Sequence, residues 1–345
     1  MDIRLENVLK YEQPTKYIVK SENYSDDFAL SVLTAGKSFV LGYTDETEGV
    51  CKASESPVII FDDFTADCKY VDFDFKVKSS AMKILHKVNA EDNLKYYFYA
   101  MQAIDYTPFS HKRVWISEYS KFKIENRSVA EQNNIVKDLD TVTTAIDNAK
   151  QRLNALDELV KSRFIEMFGD VDKTDSPYKI CKLNDVANVG SSHRVFTTEF
   201  VEKGVPFYLG TEIGELANGK RPANPFYISE EHYQRLACDS TKPKIGNLLI
   251  PSICNKAQVW MVDTDEPFYY KDGRVLRISP NLSVFNPLYL LHFMRFKTEI
   301  EYQKLDSAPT FSEFKIFILK NFDVIVPPMS IQNEFADFVK LIDKS

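Results

Sequence analysis

The chain has 345 residues, 44% hydrophobic and 27% charged, with 43 Lys and Arg against 50 Asp and Glu for a net charge of −7. That length predicts about two domains of roughly 150 residues each, in the composition range of ordinary globular proteins. The acidic balance argues against a stand-alone nucleic-acid binder held mainly by its own basic surface, and no apolar run reaches the roughly 18 residues needed to cross a bilayer.

The opening, Met1-Asp-Ile-Arg-Leu-Glu-Asn, lacks the basic-then-apolar pattern of a signal peptide. Five cysteines (51, 68, 181, 238 and 254) never form CxxC, so neither structural zinc nor a disulfide framework is expected, and a cytoplasmic location fits. Segment 1–127 mixes short β-rich runs with turns. Ser56-Pro-Val-Ile-Ile-Phe61 and the alternating Tyr70-Val-Asp-Phe-Asp-Phe-Lys-Val77 predict strands, and Asp92 to Met101 predicts a buried helix with Asp92 as the signal of its start.

Segment 128–170 differs. Ile135, Leu139, Val142, Ile146, Ala149, Leu153, Leu156 and Val160 step by four and three, a heptad seam with no Gly or Pro inside it. Ser128 and Glu131 predict a capping box, and Gly169 a glycine stop. About 40 residues at 1.5 Å each make a rod of roughly 60 Å. A stripe this long predicts a partner helix. Segment 171–327 restarts the β-rich pattern: Ile245 to Ile253 and Arg274 to Ser279 predict strands, and Asn286 to Arg295 a helix with Pro in its first turn. Segment 328–345 begins a second seam at Ile331, Phe335, Phe338 and Ile342.

The two halves end alike. Phe122, Ile124, Gln132-Asn133 and Ile135 match Phe322, Val324, Gln332-Asn333 and Phe335 in step. A globular unit repeated across a helical spacer is suited to touching two places at a fixed separation.

No catalytic constellation stands out. Ala35-Gly36-Lys37-Ser38 has Ser31 where a phosphate-binding loop needs its first Gly, and predicts a turn between strands. Asn286-Pro-Leu-Tyr289 lacks the second Pro of the amino-methyltransferase motif. The five histidines are scattered, and neither His-Glu-x-x-His nor Gly-x-Ser-x-Gly occurs. No catalytic and no metal-binding residue is assigned.

The spacer carries Leu153-Asn-Ala-Leu-Asp157-Glu158-Leu159-Val-Lys161-Ser162-Arg163-Phe164-Ile-Glu-Met-Phe168-Gly169-Asp170. This string resembles the central conserved region of specificity subunits of type I restriction-modification systems. The Pro327-Pro328 and Gln332 helix start resembles it as well, as do the openings Leu5-Glu-Asn-Val8 and Leu183-Asn-Asp-Val186. The resemblance runs through the whole chain in order. It implies an α+β fold with two similar β-rich target-recognition domains (1–127 and 171–327), a coiled-coil spacer (128–170) and the start of a second spacer (328–345). It further implies a non-catalytic, sequence-specific DNA-recognition subunit, each domain reading one half of a bipartite site in double-stranded DNA. The helices would set the spacing and dock two modification subunits. Those subunits would hold S-adenosylmethionine, and restriction subunits would use ATP and Mg; this chain itself would carry no cofactor. The alternatives are a methyltransferase or nuclease whose active site is unrecognised, and a coiled-coil protein-binding scaffold.

Polar and basic residues in turn-rich segments are the candidates for DNA contact, since Arg and Lys pair with guanine or phosphate and Ser/Thr with either. In the first half these are Lys16, Tyr17, Lys37, Ser38, Tyr43, His111, Lys112 and Arg113. In the second they are Ser191, Ser192, His193, Arg194, Lys220, Arg221, Lys256 and Thr310. The competing reading of any one of them is a solvated surface group. The seams 135–160 and 331–342 are expected to pack on each other. Asp157, Glu158, Lys161 and Arg163 are candidates for a partner-facing or helix-pairing role. In the family the second spacer continues through another full helix, whereas this sequence stops at Ser345. The expectation is therefore self-association through the 128–168 seam, or weakened binding of one modification subunit.

Overall fold

The computed structural model describes residues 2–35, 38–110, 112–173, 176–253, 258–306 and 313–342. The chain forms two compact units, Met1–Lys150 and Gln151–Ser345. The division falls inside one long helix, so each unit takes one end of the spacer.

In the first unit β1 (Asp2–Arg4) leads through the single turn α1 (Leu5–Val8) into β2 (Leu9–Glu12). Next come β3 (Leu30–Leu33), β4 (Val40–Thr44), β5 (Val58–Asp62), β6 (Cys68–Val71), β7 (Phe75–Val77) and β8 (Met82–Lys87). Helix α2 (Leu94–Gln102), strand β9 (Lys123–Glu125) and helix α3 (Val129–Phe168) follow. The strands form a four-stranded sheet in the order β2-β8-β5-β6, a three-stranded sheet β4-β3-β7 and the pair β1-β9. All pairings are antiparallel except β3 with β7.

The second unit repeats this plan. It has β10 (Lys179–Lys182), α4 (Leu183–Val186), β11 (Ala187–Gly190), β12 (Val205–Tyr208), α5 (Gly210–Ala217), β13 (Phe226–Ile228), α6 (Glu230–Leu236), β14 (Leu248–Pro251) and β15 (Trp260–Met261). It continues with β16 (Tyr269–Tyr270), β17 (Val275–Pro280), α7 (Pro287–Asp306), α8 (Ile316–Lys320), β18 (Asp323–Val326) and α9 (Met329–Ile342). Its sheets run β11-β17-β14-β15, β13-β12-β16 and β10-β18, with β12 and β16 parallel. Strand for strand this is the order of the first unit. The fold is α+β, with two similar β-rich domains joined by a long helix and a shorter helix at the end of the second.

The likeness extends to single hydrogen bonds. In the first unit the Gln132 side chain accepts from the Asn93 amide at 2.8 Å and donates to Arg127 O at 3.1 Å. In the second, Gln332 accepts from the Asn286 amide at 2.8 Å and donates to Val284 O and Pro327 O, each at 2.8 Å. Asn93 and Asn286 cap α2 and α7 in the same way, and each donates to the Asn that follows the glutamine, Asn133 or Asn333, at 2.8 Å. The Tyr96 hydroxyl donates to Glu125 O and that of Tyr289 to Ile325 O. Both glutamines are fully buried, 1% and 0% exposed. A buried amide must find partners, so each glutamine ties the start of a domain helix to the start of α3 or α9.

Four expectations are corrected in detail. The alternating run 70–77 is two strands, because the chain changes sheets at Asp72–Asp74. It still alternates because Val71, Phe75 and Val77 all face one core between the sheets. Asn93, not Asp92, caps α2, while the Asp92 carboxylate accepts from the Tyr97 hydroxyl at 2.6 Å. The helix expected over 286–295 continues to Asp306.

The fourth correction concerns the seam. Ser128 and Glu131 form the expected capping box, and Gly169 ends α3 at φ +86°. Only the ends of α3 are embedded, however. Ile135 and Val136 pack on the first core, and Val160, Phe164 and Phe168 on the second, with Leu156 half-buried. Helix α9 packs there through Phe335 and Val339, supported by Ile331, Phe338 and Ile342. Leu139, Val142, Ile146 and Leu153 are exposed, at 37%, 55%, 48% and 63%. The reason is reach: α9 spans 14 residues against the 40 of α3, and it lies against the last turns of α3 alone.

Replacing Gln332 by Ala leaves the Asn286 amide and two carbonyls without their partner, which is expected to destabilise the second unit by about 2–3 kcal/mol. Asp337→Ala on the exposed face of α9 should change stability by less than about 0.5 kcal/mol. Urea unfolding followed by tryptophan fluorescence, with Trp260 in the second unit, measures both. Equal midpoints for the two variants would contradict this role of the glutamine.

Candidate nucleic-acid interface

The candidate residues fall on matching connections of the two repeats. Lys16 and Tyr17 follow β2, and Ser191 to Arg194 follow β11, its counterpart. Ser38 lies in the β3–β4 turn, and Lys220 and Arg221 lie in the longer β12–β13 connection, which has gained α5. Lys112 and Arg113 lie between α2 and β9. Tyr43 was expected in a turn but sits in β4, opposite Ser31. Lys37, His111, Lys256 and Thr310 lie outside the described residues.

In the first unit a buried carboxylate positions the basic segment. Asp63, 1% exposed, accepts from the Val114 amide at 3.1 Å and the Trp115 amide at 2.9 Å, and pairs with the buried Lys83 at 3.3 Å. Trp115 packs against Phe61 with ring centroids 5.0 Å apart. These contacts hold exposed Lys112 and Arg113 at the surface next to fixed backbone. Arg113 donates to Ser80 O at 3.2 Å and lies over the Phe64 ring at 5.9 Å.

Nearby, Glu12 accepts from Lys16 at 2.7 Å and meets His86 at 2.9 Å. Burial opposes ionisation of Glu12, but the hydrogen bonds from Lys16 and His86 outweigh it and keep its carboxyl below the usual range. The Glu12 bond in turn raises the Lys16 ammonium above its ordinary value. Gly49 approaches the Lys16 carbonyl at φ +60°, where a Cβ would stand 2.6 Å from that oxygen, so this turn accepts glycine alone without rearrangement.

In the second unit the same region is laid onto the β16–β17 turn. The Ser191 hydroxyl donates to Val275 O at 2.7 Å and accepts from the Gly273 amide at 2.9 Å, while Ser192 donates to Tyr270 O at 2.6 Å. Both serines thus use their hydroxyls to fix the loop. His193 meets Asp239 at 2.8 Å, and Arg194 Nε donates to Asp272 at 3.2 Å. The amide and hydroxyl of Thr241, and then His193, hold the Asp239 carboxyl down to about 2. The His193–Asp239 pair is exposed and therefore weak, whereas Asp272 is half-buried and also pairs with Lys271 at 3.1 Å. Lys220 and Arg221 are exposed.

The sequence reading missed two groups. The carboxylates that organise these cations, Asp63, Asp239 and Asp272, come from distant segments and carry no local signal. Phe109 is fully exposed and Phe196 is 59% exposed, each two residues from a candidate basic position, His111 or Arg194. An aromatic beside a basic loop residue is a visible pattern that could have singled them out as wedges or stacking groups.

On α3, Asp157 and Glu158 are exposed. Arg163 faces α9, donating to Glu334 at 3.0 Å and to Glu166 at 2.9 Å. Lys161 is half-buried. Burial pushes the Cys51 thiol up to about 11 and that of Cys68 up to about 12, so both stay protonated at neutral pH. Among the described residues no cluster of three or more His, Cys, Asp or Glu is arranged to hold a metal, and no helix is long and apolar enough to cross a membrane.

Asp63→Ala would strand the Lys83 ammonium in the core and release two backbone amides. We expect a loss of about 3–5 kcal/mol and faster hydrogen exchange at Val114 and Trp115. Unchanged exchange at those amides would show that the loop is held by other contacts.

No family model matches the chain. In sequence it is 48% identical over 162 residues to the specificity subunit of the Escherichia coli type I restriction enzyme EcoR124I/EcoR124II, a match covering 44% of this chain and 40% of that protein. The chain thus spans well under half the length of this curated relative. In fold it matches the S subunit of a type I restriction-modification system from M. genitalium with a TM-score of 0.59 at 13% identity, over 100% of this chain and 89% of that one. The HsdS subunit of Thermoanaerobacter tengcongensis gives a TM-score of 0.42 at 16% identity, over 100% of this chain and 89% of that one, a likeness too loose to bear on the fold. Over 162 residues in sequence, and over its whole length in fold, the chain is similar to specificity subunits of type I restriction-modification systems.

Proposed function

We propose that the chain is the DNA-reading subunit of a type I restriction-modification complex, without catalytic chemistry of its own. The observation that carries this reading is the repetition of sheet order, and of the buried glutamine's bond to the helix-capping asparagine, in two units joined by one helix. Two copies of one reading device, differing in their surface connections, suit a bipartite, asymmetric site. Each unit contacts one half-site in double-stranded DNA through the connections after β2 and β11, the β3–β4 and β12–β13 turns, and the loop carrying Lys112 and Arg113.

Half-sites about one helical turn apart lie roughly 35 Å from one another, and a 40-residue helix is a rigid spacer on that scale where a flexible linker would not be. The exposed seam on α3 receives modification subunits or a second copy of the chain. Modification subunits supply S-adenosylmethionine and much of the phosphate contact, which is why an acidic chain can serve as the reader. Restriction subunits supply ATP and Mg chemistry.

The test is a genome-wide map of methylated adenines in a methylation-free host co-expressing this chain and its modification subunit. A new two-part motif with a fixed gap is expected; no new motif with both proteins soluble would overturn the reading. Arg113→Ala and Arg194→Ala each remove one cation that faces solvent. Each should weaken DNA binding by the assembled complex about 5- to 100-fold, corresponding to roughly 1–3 kcal/mol, with no change in the unfolding midpoint. If both variants bind with wild-type affinity in a gel-shift titration, these loops do not contact DNA.

A further inference from the structure

A matched pair of strand positions differs between the two repeats. β2 and β11 each follow a single helical turn and pair with β8 and β17 in the same register, so that Glu12 stands opposite Ile84 and Gly190 opposite Arg277. Two residues earlier, Lys10 faces His86 and Asn188 faces Ser279. In the first unit the Glu12 carboxylate occupies this strand face, held by Lys16 at 2.7 Å and His86 at 2.9 Å. In the second unit the carboxylate is missing, and an arginine stands where the first unit has isoleucine.

Arg277 is 3% exposed. It donates to the Ser279 hydroxyl and, through Nη2, to the Asn188 side chain at 3.0 Å, and its Nε has no partner among the described residues. Neither partner carries a charge. The nearby Tyr270 phenol is no counterion: burial pushes it up despite the Arg277 charge, and its hydroxyl donates to Thr241 O at 3.1 Å. A buried cation without a counterion is costly, and Ile84 shows that the strand position itself does not require one. The place of the missing carboxylate is bare. Among the described residues, the only atom within 4 Å of a Cβ built on Gly190 is Arg277 Nη2, at 3.6 Å. Gly190 and Ser279 are half-buried and Asn188 is exposed, so the opening meets the surface. Arg194 follows Gly190 by four residues, as Lys16 follows Glu12, and its side chain is 69% exposed.

We propose that the space over Gly190 is an anion site. It takes a phosphate oxygen where the first unit has its own Glu12 carboxylate, with Arg277 as the inner cation and Ser279 and Arg194 in the places of His86 and Lys16. Nη2 carries two protons and has one partner, so a donor remains on the wall of the opening. Hydrogen bonds from a guanidinium to an anionic oxygen are among the strong ones, and the incoming charge supplies the counterion that Arg277 lacks. One repeat is thus closed by its own carboxylate, and the other is completed by an external anion. The anion site stands whether or not the chain reads DNA. That the phosphate belongs to a DNA backbone rests on the proposed DNA-reading role, in which the connection after β11 lies against the duplex.

The probe is inorganic phosphate, titrated into the full chain at constant ionic strength while the thermal unfolding midpoint is followed. A saturable rise is expected for the wild type and for Lys203→Ala, an exposed cation outside the cluster. Gly190→Glu builds in the carboxylate of the first unit and should raise the half-saturating phosphate at least about tenfold. Without phosphate, Gly190→Glu should unfold at a higher temperature than Gly190→Gln, since both fill the space and only one brings a charge. The open space over Gly190 lets both variants fold. A rise that never saturates, or one identical in the wild type and Gly190→Glu, would overturn the proposal. So would equal midpoints for the Glu and Gln variants, which would mean that Arg277 only fills space. Gel shifts with the assembled complex identify the source of the anion. If Gly190→Glu weakens binding to target and unrelated duplexes by a similar factor, the phosphate is that of the DNA backbone; unchanged duplex binding assigns the site to free phosphate. A wild-type complex that binds no duplex would end the DNA reading and leave the phosphate titration to judge the site.

Discussion

The architecture depends on satisfying a helix N-terminus inside the protein. Helices α2 and α7 start at the edge of a core, where their first amides have no water to turn to. One asparagine caps each helix, and one glutamine from α3 or α9 accepts from the Asn93 or Asn286 amide. Because Gln132 opens α3 and Gln332 lies in the first turn of α9, the same bond that caps a domain helix also sets where the following helix departs. The β1-β9 and β10-β18 pairs brace the same junction, with Leu5 and Leu183 amides donating to Phe122 O and Phe322 O. Sheet surfaces and turns can then vary without moving the junction.

Charge is handled differently in the core and on the loops. Lys83 with Asp63, and Lys76 with Glu46 at 2.9 Å, are buried or nearly so, and breaking such pairs is costly. On the loops the cations lie beside exposed or half-buried carboxylates: Arg194 by Asp272, His193 by Asp239, Lys16 by Glu12. These surface pairs balance charge locally on the loops without committing the cations strongly. An acidic protein can in this way present basic groups on its loops.

The long helix, its cap, the glycine stop and the duplicated Gln-Asn were legible because each is a local pattern with one physical cause. The resemblance of 153–170 carried the family reading, which composition alone could not. What escaped was non-local. The strand break at Asp72–Asp74 was hidden because both pieces face one core, so the period of two ran on unbroken. The anchoring of the Lys112-Arg113 loop was hidden because Asp63 lies some fifty residues away. Ser191 and Ser192 were legible as loop residues, but nothing in their neighbourhood showed that their hydroxyls would be taken by Val275 and Tyr270 carbonyls.

Helix α3 joins these themes. An isolated helix pays a nucleation cost that packing usually offsets, and here both ends are nucleated by the domains: the capping box and Val136 at one end, Phe164 and Phe168 at the other. Residues 141–155 are exposed throughout, and they need no apolar side chains to remain helical between two fixed ends. Polar residues would serve helicity as well and solubility better. Val142, Ile146 and Leu153 at heptad spacing therefore answer to something other than the stability of this helix.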